Sequence, residues 1–255
     1  MAEIILNETF ALLLAYDGAA FRGWQKQPGM PTVQQALEDA LRALLGKRYA
    51  LHGASRTDAG VHALGQVASL RCGRGPDFSA LVLPPALRLL RYARASPSFH
   101  ARASAVGKRY RYDFANFVQN NRTPGPTLGP PLAGNFVQNA RTPDWDRARA
   151  AMRGLDGVPH LSGLCSPSKA HQPAPPLTRW SLDDAGVLEV EGRAFRKHEV
   201  RNIAGHLAAV ALGLAAPESL RELAQRKRPW MGATAPSHGL TLVQVFYPAE
   251  IDPFR

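Results

Sequence analysis

Apolar and polar positions along this chain follow two rhythms, one of period two and one of period three to four. Residues 10–16, FALLLAY, form a short apolar run that stops at Asp17-Gly18, a strand followed by a turn. After Pro31, the segment Thr32-Val33-Gln34-Gln35 has the form of a capping box. Val33, Leu37, Leu41 and Leu44 then recur at helical spacing until Gly46, which predicts a helix over 33–45. Residues 66–71 alternate weakly as a strand. Residues 109–114, RYRYDF, alternate strictly, with Tyr110, Tyr112 and Phe114 on one face and charged residues on the other, a half-buried strand. Residues 187–191 and 240–247 read as further strands. Between them Val200, Ile203, Ala204, Leu207, Ala211 and Leu214 mark a long amphipathic helix. Pro217 introduces another, from Glu218 to about Gln225, that ends in Arg226-Lys227-Arg228, where cations suit a helix C-terminus.

Each half therefore mixes sheet and helix, and the pattern predicts two α+β domains, 1–104 and 105–255. A local duplication interrupts the second. Residues 116–124, NFVQNNRTP, return almost intact as residues 135–143, NFVQNARTP, around a spacer rich in Pro and Gly. Two copies do not make a solenoid, so 116–143 reads as a surface excursion. The Pro-rich stretch 166–176 reads as a loop.

Length and composition narrow the class. The 255 residues suffice for two ordinary cores, and 45% hydrophobic with 20% charged content is that of a soluble globular protein. No apolar run approaches the roughly 20 residues of a bilayer span. The first eight residues have no basic segment ahead of an apolar one, so a signal peptide is not expected and cytoplasmic residence is. Cys72 and Cys165 are too few for a disulfide framework and read as buried free thiols.

Charge points to a partner. The formal net charge is +11, with 12 cations against 7 carboxylates up to residue 104 and 19 against 13 beyond it, so both halves are basic. A polyanion bound through its phosphates, RNA or DNA, is the natural candidate. An arginine-rich proteome would give the same sign.

The candidate chemistry centres on residues 56–64, RTDAGVHAL. Asp58 stands two residues after Arg56, in a turn opened by Gly60, where a nearby cation favours its charged form and a bound substrate can reach it. A plain turn aspartate is the competing reading. Asp58 and His62, with His52 nearby, have a spacing that could suggest a metal, but no Cys or further carboxylate completes a shell, and none is expected.

Three blocks, YDGAAFRGWQKQ at 16–27, TVQ at 32–34 and RTDAGVH at 56–62, resemble the tRNA pseudouridine synthase A family in order and spacing. Further blocks extend the likeness from about residue 11 to 248: SFHAR at 98–102 followed by KRYRY at 108–112, VRNIAG at 200–205, and TAPSHGL at 234–240. The resemblance implies an α+β fold of two ferredoxin-like, RRM-related halves, whose joined, mixed and largely antiparallel sheet is flanked by helices and carries a central basic active-site cleft. It implies isomerisation of uridine to pseudouridine in the tRNA anticodon stem-loop, at positions 38, 39 and 40, without cofactor or metal, by a homodimer.

By that resemblance Asp58 is the catalytic carboxylate, Tyr110 packs on the target uracil, and Arg56 and Arg201 are supporting cations. Arg22, Lys26, Arg102, Lys108 and Arg109 are candidate RNA contacts. Trp24 reads as packing, and Tyr112 as a core residue on the sheet face. His100 either lines the RNA path or serves the structure. The chain departs from the family at Ser55, where a Gly is usual. It departs again at Glu199, usually apolar, which places a carboxylate near Arg201 as a competitor for Asp58's cation. Residues 158–164 lack the family's His-Asp-Phe-Ser-like block. An idle RNA-binding protein and a glycosidic-bond hydrolase remain as alternatives.

Overall fold

The computed structural model describes residues 8–46, 49–115, 142–166, 173–226, 230 and 232–255. These residues divide into two compact units, Met1–Lys108 with Thr241–Arg255, and Arg109–Leu240. The C-terminal residues thus belong with the first unit, a return that a linear division after residue 104 does not contain. Most of the duplicated stretch 116–143, and 167–172 of the Pro-rich stretch, lie outside the described residues. Among the described residues, no helix is long and apolar enough to cross a membrane. The fold is mixed α+β, with eight strands and four α-helices described.

In the first unit β1 (Glu8–Tyr16) runs antiparallel between β3 (His62–Cys72) and β4 (Leu87–Ala95), with Leu12 opposite Ala68 on one side and Tyr92 on the other. Most side chains of β1 are buried, which matches its apolar run; Leu12 and Leu14 are fully buried. β2 (Tyr49–Gly53) pairs antiparallel with the C-terminal part of β3, Leu51 opposite Leu70. β8 (Leu240–Phe246) pairs parallel with its start, His62 opposite Thr241. α1 (Val33–Leu45) begins where the Thr32 hydroxyl accepts the Gln35 N–H at 3.3 Å, and it ends at Gly46. It buries Val33, Leu37 and Leu41, the positions its spacing singled out.

In the second unit the strand order is β5 (Gly107–Asp113), β7 (Val187–Gly192), β6 (Leu177–Leu182), with β6 and β7 antiparallel. α2 (Trp145–Arg153) starts at Asp144, whose carboxylate accepts the N–H groups of Asp146 and Arg147. Its start docks on α3 (Glu199–Ala211): the Asp144 N–H donates to the Ala211 carbonyl at 2.9 Å, and Arg147 Nε to that of Val210 at 3.3 Å. α4 (Ser219–Gln225) follows the turn at Pro217. α3 is buried almost all round, as a core helix is.

The first turn of α3 holds an unusual group. Glu199 is 1% exposed; its Oε2 accepts the Arg196 N–H at 2.7 Å and lies 3.7 Å from Cys165 Sγ, while Oε1 is buried without a hydrogen-bond partner. Its bonds go to Arg196 and Cys165 and not to Arg201, so the expected competition with Asp58 for that cation does not occur. The preceding His198 is in the left-handed region at φ 61°, uncommon for a residue other than glycine. Burial pushes the Glu199 carboxyl up to about 8, partly offset by the Arg196 N–H and the Cys165 thiol. Burial and the neighbouring Glu199 together push the Cys165 thiol well above its ordinary range.

A carboxyl with a raised folded-state pKa leaves stability intact at acid pH, where folded and unfolded chains are both protonated. Stability is lost as the pH rises from the ordinary glutamate range to about 8, by up to about 1.4 kcal/mol per pH unit. Glu199→Gln is therefore expected to flatten the pH dependence of the unfolding free energy between about pH 5 and 8 and to raise stability at pH 8. Urea unfolding at the two pH values checks this.

Candidate active site

The loop 54–61 that carries Asp58 leaves β2 and returns as β3. At its base the Ala54 N–H donates to the Val67 carbonyl at 2.8 Å. The fully buried Gln66 of β3 then brackets Ser55: the Ser55 N–H donates to Gln66 Oε1 at 3.2 Å, and Gln66 Nε2 donates to the Ser55 carbonyl at 2.7 Å. Gln66 Nε2 also lies 3.4 Å from the Tyr16 hydroxyl, which sits 2.8 Å from Thr57 Oγ1. A buried amide satisfied at both ends fixes the backbone it grips. Ser55, where the family usually has Gly, is accommodated with its side chain buried.

A second loop clamps the first from the side of α1. The Trp24 N–H donates to the Thr57 carbonyl at 3.1 Å and the Gly60 N–H to the Phe21 carbonyl at 3.3 Å. The carbonyls of Gly23 and Trp24 in turn accept the N–H groups of Val33 and Gln34, so the loop 21–24 ties the start of α1 to the aspartate loop. Gly23 is at φ 93°, and a Cβ there would stand 2.7 Å from the Thr57 carbonyl oxygen and 3.1 Å from Asp58 C. Gly60, at φ 79°, opens the turn after Asp58, as its sequence position suggested. Trp24 is 3% exposed and packs against Gly53, in keeping with a packing role. Asp58 itself stands half-buried at the tip of this clamped loop.

The clamp residues Gln66, Tyr16 and Thr57 were not singled out from sequence. The available signal was weak: a polar residue, Gln66, at a buried position of a strand. His62, considered above as a metal ligand, is used locally. Its Nδ1 accepts the Gly18 N–H at 3.3 Å and lies 3.2 Å from Asp17 Oδ1. Among the described residues no group of three or more His, Cys, Asp or Glu side chains is arranged to hold a metal.

Several of the expected cations gather in the first unit. Arg56 and Arg102 are exposed, and Lys108 is half-buried. Burial and then the charge of Arg56 lower the pKa of Arg102; burial and then Arg102 push Lys108 down to about 8. Arg22 is exposed on the clamp loop, with its backbone bonded to Pro31 and to the Gln27 side chain. Lys26 is ion-paired with Glu38 at 3.0 Å.

The remaining expected residues belong to the second unit. Tyr110 is 6% exposed, with its ring edge-on to Phe195 at 5.0 Å. Tyr112 is fully buried, as a core residue, and its hydroxyl donates to the Pro236 carbonyl at 3.2 Å. Arg201 Nε donates to the Ala235 carbonyl at 2.8 Å, and the Ala235 N–H donates back to the Arg201 carbonyl at 3.0 Å, which ties α3 to the segment 234–240. Arg109, expected to meet RNA, forms a two-nitrogen ion pair with Glu191 at 2.6 and 2.8 Å, so any phosphate there competes with a carboxylate.

Comparison with known proteins agrees with this arrangement. A family model described as tRNA pseudouridine synthase matches residues 13–83 and 111–248, a span that includes the whole clamp and Arg201. A tRNA pseudouridine synthase A of Myxococcus xanthus is 37% identical over 92% of this chain and 91% of its own length. Those of Geotalea uraniireducens and Methylocella silvestris are 35% and 37% identical over 92% and 93% of this chain, each over 98% of its own length. With the aspartate loop inside the match and the likeness running through both units, the chain belongs to the tRNA pseudouridine synthase family.

Proposed function

We propose that this chain isomerises uridine to pseudouridine in tRNA, at positions 38, 39 and 40 of the anticodon stem-loop, with Asp58 as the catalytic carboxylate. The observation that supports this best is the clamped loop, which fixes the backbone on both sides of one half-buried aspartate. The relatives' printed name, tRNA pseudouridine synthase A, supports the substrate and the reaction class.

The reaction breaks the N1–C1′ glycosidic bond, turns the uracil over and joins C5 to C1′. A proton leaves C5 and N1 gains one, so atoms and electrons balance without a cofactor. One carboxylate suffices. Asp58 attacks C1′, as the nucleophile of a retaining glycosidase does, or removes the 2′ hydrogen to give a glycal. No acid is needed for a departing group, because the uracil is kept and reused, and water has to be excluded while it is loose. From the resemblance we assign Tyr110 to packing on the target uracil, which a flipped base requires, and Arg201 and Arg56 to support of the carboxylate. Arg22, Arg102 and Lys108 are assigned to the RNA, and Lys26 and Arg109 to RNA contacts that exchange their ion pairs with Glu38 and Glu191 for a phosphate. A homodimer in which one tRNA touches both subunits is carried over in the same way, and cytoplasmic residence goes with a tRNA substrate.

The test is carbodiimide mapping of unmodified tRNA carrying uridine at 38, 39 or 40 after incubation with the protein. Pseudouridine at these positions is expected. Release of free uracil would instead mark a hydrolase, and tight binding without product an idle RNA-binding protein. A second expectation concerns the clamp. Gly23→Ala forces a Cβ against the Thr57 carbonyl at a left-handed φ, costing about 1–3 kcal/mol of stability. It also displaces Asp58, so the single-turnover rate falls on the order of 10²-fold. Thermal unfolding and rapid-quench assays on the same preparation check the two effects.

A further inference from the structure

Outside the aspartate loop, the first unit assembles cations and imidazoles that no carboxylate among the described residues pairs with. His52, on β2, and His100, in the loop that follows β4, stack with ring centroids 4.7 Å apart and planes 23° apart. His52 stands opposite Ser69 in the sheet register, and Arg71 lies two residues further along β3. Arg102 adjoins His52 electrostatically: the proton affinity of His52 is lowered by burial, then by His100, Arg102 and Arg71. The charge of Arg56 falls on Arg102, and that of Arg102 on Lys108. Among the described residues His52, Arg71, Arg102 and Lys108 have no carboxylate partner. Like charges held this close repel, and the repulsion is relieved when an anion binds among them.

The loop that carries His100 and Arg102 is tied down at several points, while His52, Arg71 and Lys108 stand on β2, β3 and β5. Phe99 is buried against Tyr247, whose hydroxyl donates to the Ala101 carbonyl at 2.7 Å. The Ala101 N–H donates to Ser69 Oγ, and Arg71 reaches the Pro97 carbonyl at 2.9 Å. Among the described residues His100 is bonded at one ring nitrogen only: its Nδ1 accepts the N–H groups of Arg102 at 3.1 Å and Ala103 at 3.2 Å. An Nδ1 that accepts two hydrogen bonds carries no proton, so the ring proton of a neutral His100 lies on Nε2, which is left as a donor.

We infer that the stacked His52 and His100, with Arg102, Arg71 and Lys108, form a binding site for a backbone phosphate of the RNA substrate, separate from the carboxylate that does the chemistry. His100 Nε2 donates to the phosphate, Arg102 and Lys108 supply charge, and His52 holds the His100 ring in place. Arg71 is anchored by Pro97 and adds to the local field. This inference rests on the reading of the chain as a tRNA enzyme and adds to it residues of the tRNA-binding site.

The experiment is fluorescence anisotropy of unmodified tRNA titrated with the full chain between about 50 and 200 mM salt, for four proteins. In His100→Asn the side-chain oxygen takes over acceptance of the Arg102 and Ala103 N–H groups, as asparagine does in turns, while the outward donor is lost. Its thermal midpoint should match wild type and its tRNA affinity should fall about tenfold. Arg102→Gln should weaken binding and reduce the slope of log affinity against log salt by about 0.7–0.9, the loss of one phosphate contact. Arg42→Gln, which removes a cation paired with Asp39 on α1, should bind as wild type does. Wild-type affinity in both His100→Asn and Arg102→Gln, or an equal loss in Arg42→Gln, would overturn the site. Inorganic phosphate that displaces tRNA as completely as unlabelled tRNA at matched ionic strength would overturn it in favour of a free-anion site. Because binding is read without turnover, a wild type that binds in this way but makes no pseudouridine sinks the isomerase reading and leaves the phosphate site standing.

Discussion

Gln66 is the side chain on which the candidate site depends. Fully buried in β3, it uses its carboxamide oxygen on the Ser55 N–H and its nitrogen on the Ser55 carbonyl and the Tyr16 hydroxyl, which in turn meets Thr57. A buried amide left unsatisfied would cost about 1–3 kcal/mol, so the loop geometry that satisfies it is strongly preferred. The Trp24 N–H completes the grip by holding the Thr57 carbonyl. Every bond in this set lies on β1, on β3 or on the loop running into α1. The position of Asp58 is therefore a property of the first unit's framework and not of a surface turn.

From that loop, positive charge extends through the same unit. Arg56 precedes Asp58 by two residues, and its field reaches Arg102, whose field reaches Lys108 and His52. Cations carried on strands and tied-down loops meet a polyanion with little backbone reorganisation, so less of the binding energy goes into ordering the chain. Other cations expected to meet RNA are already committed: Arg109 to Glu191 and Lys26 to Glu38. Local ion pairs thus sort the basic residues into an available group and an engaged one, a distinction that net charge alone does not make.

Much of this was legible in the sequence, and the reasons for what was not are physical. The capped stripe of α1 and the alternation of β5 each carry a strong period, because each has a well-defined buried face, and β1 shows as an apolar run because most of its side chains are buried. β4 was missed because it lies at one end of the strand order with most of its side chains half-buried or exposed, so LRLLRYARA shows no clean alternation. α2 was missed because its buried residues are Ala148, Ala151 and Met152 in an arginine-rich segment; the Asp144 cap was its best signal. Asp58 stood out because glycine and charge frame it. Gln66, Tyr16 and Thr57 did not, because their meaning lies in contacts between β1, β3 and a loop that no local pattern encodes. Glu199 was noticed as a departure, but only the fold reveals that its carboxyl turns to Cys165 and the Arg196 N–H instead of to Arg201.

The central claim is that this framework exists to hold one reactive carboxylate, and the most direct measurement is single-turnover pseudouridine formation by wild type and Asp58→Asn on the same unmodified tRNA. Asparagine preserves the size of the side chain and leaves the clamp's backbone bonds in place. The account predicts a rate loss on the order of 10⁴-fold with tRNA binding retained. An Asp58→Asn protein that forms pseudouridine at close to the wild-type rate would contradict it.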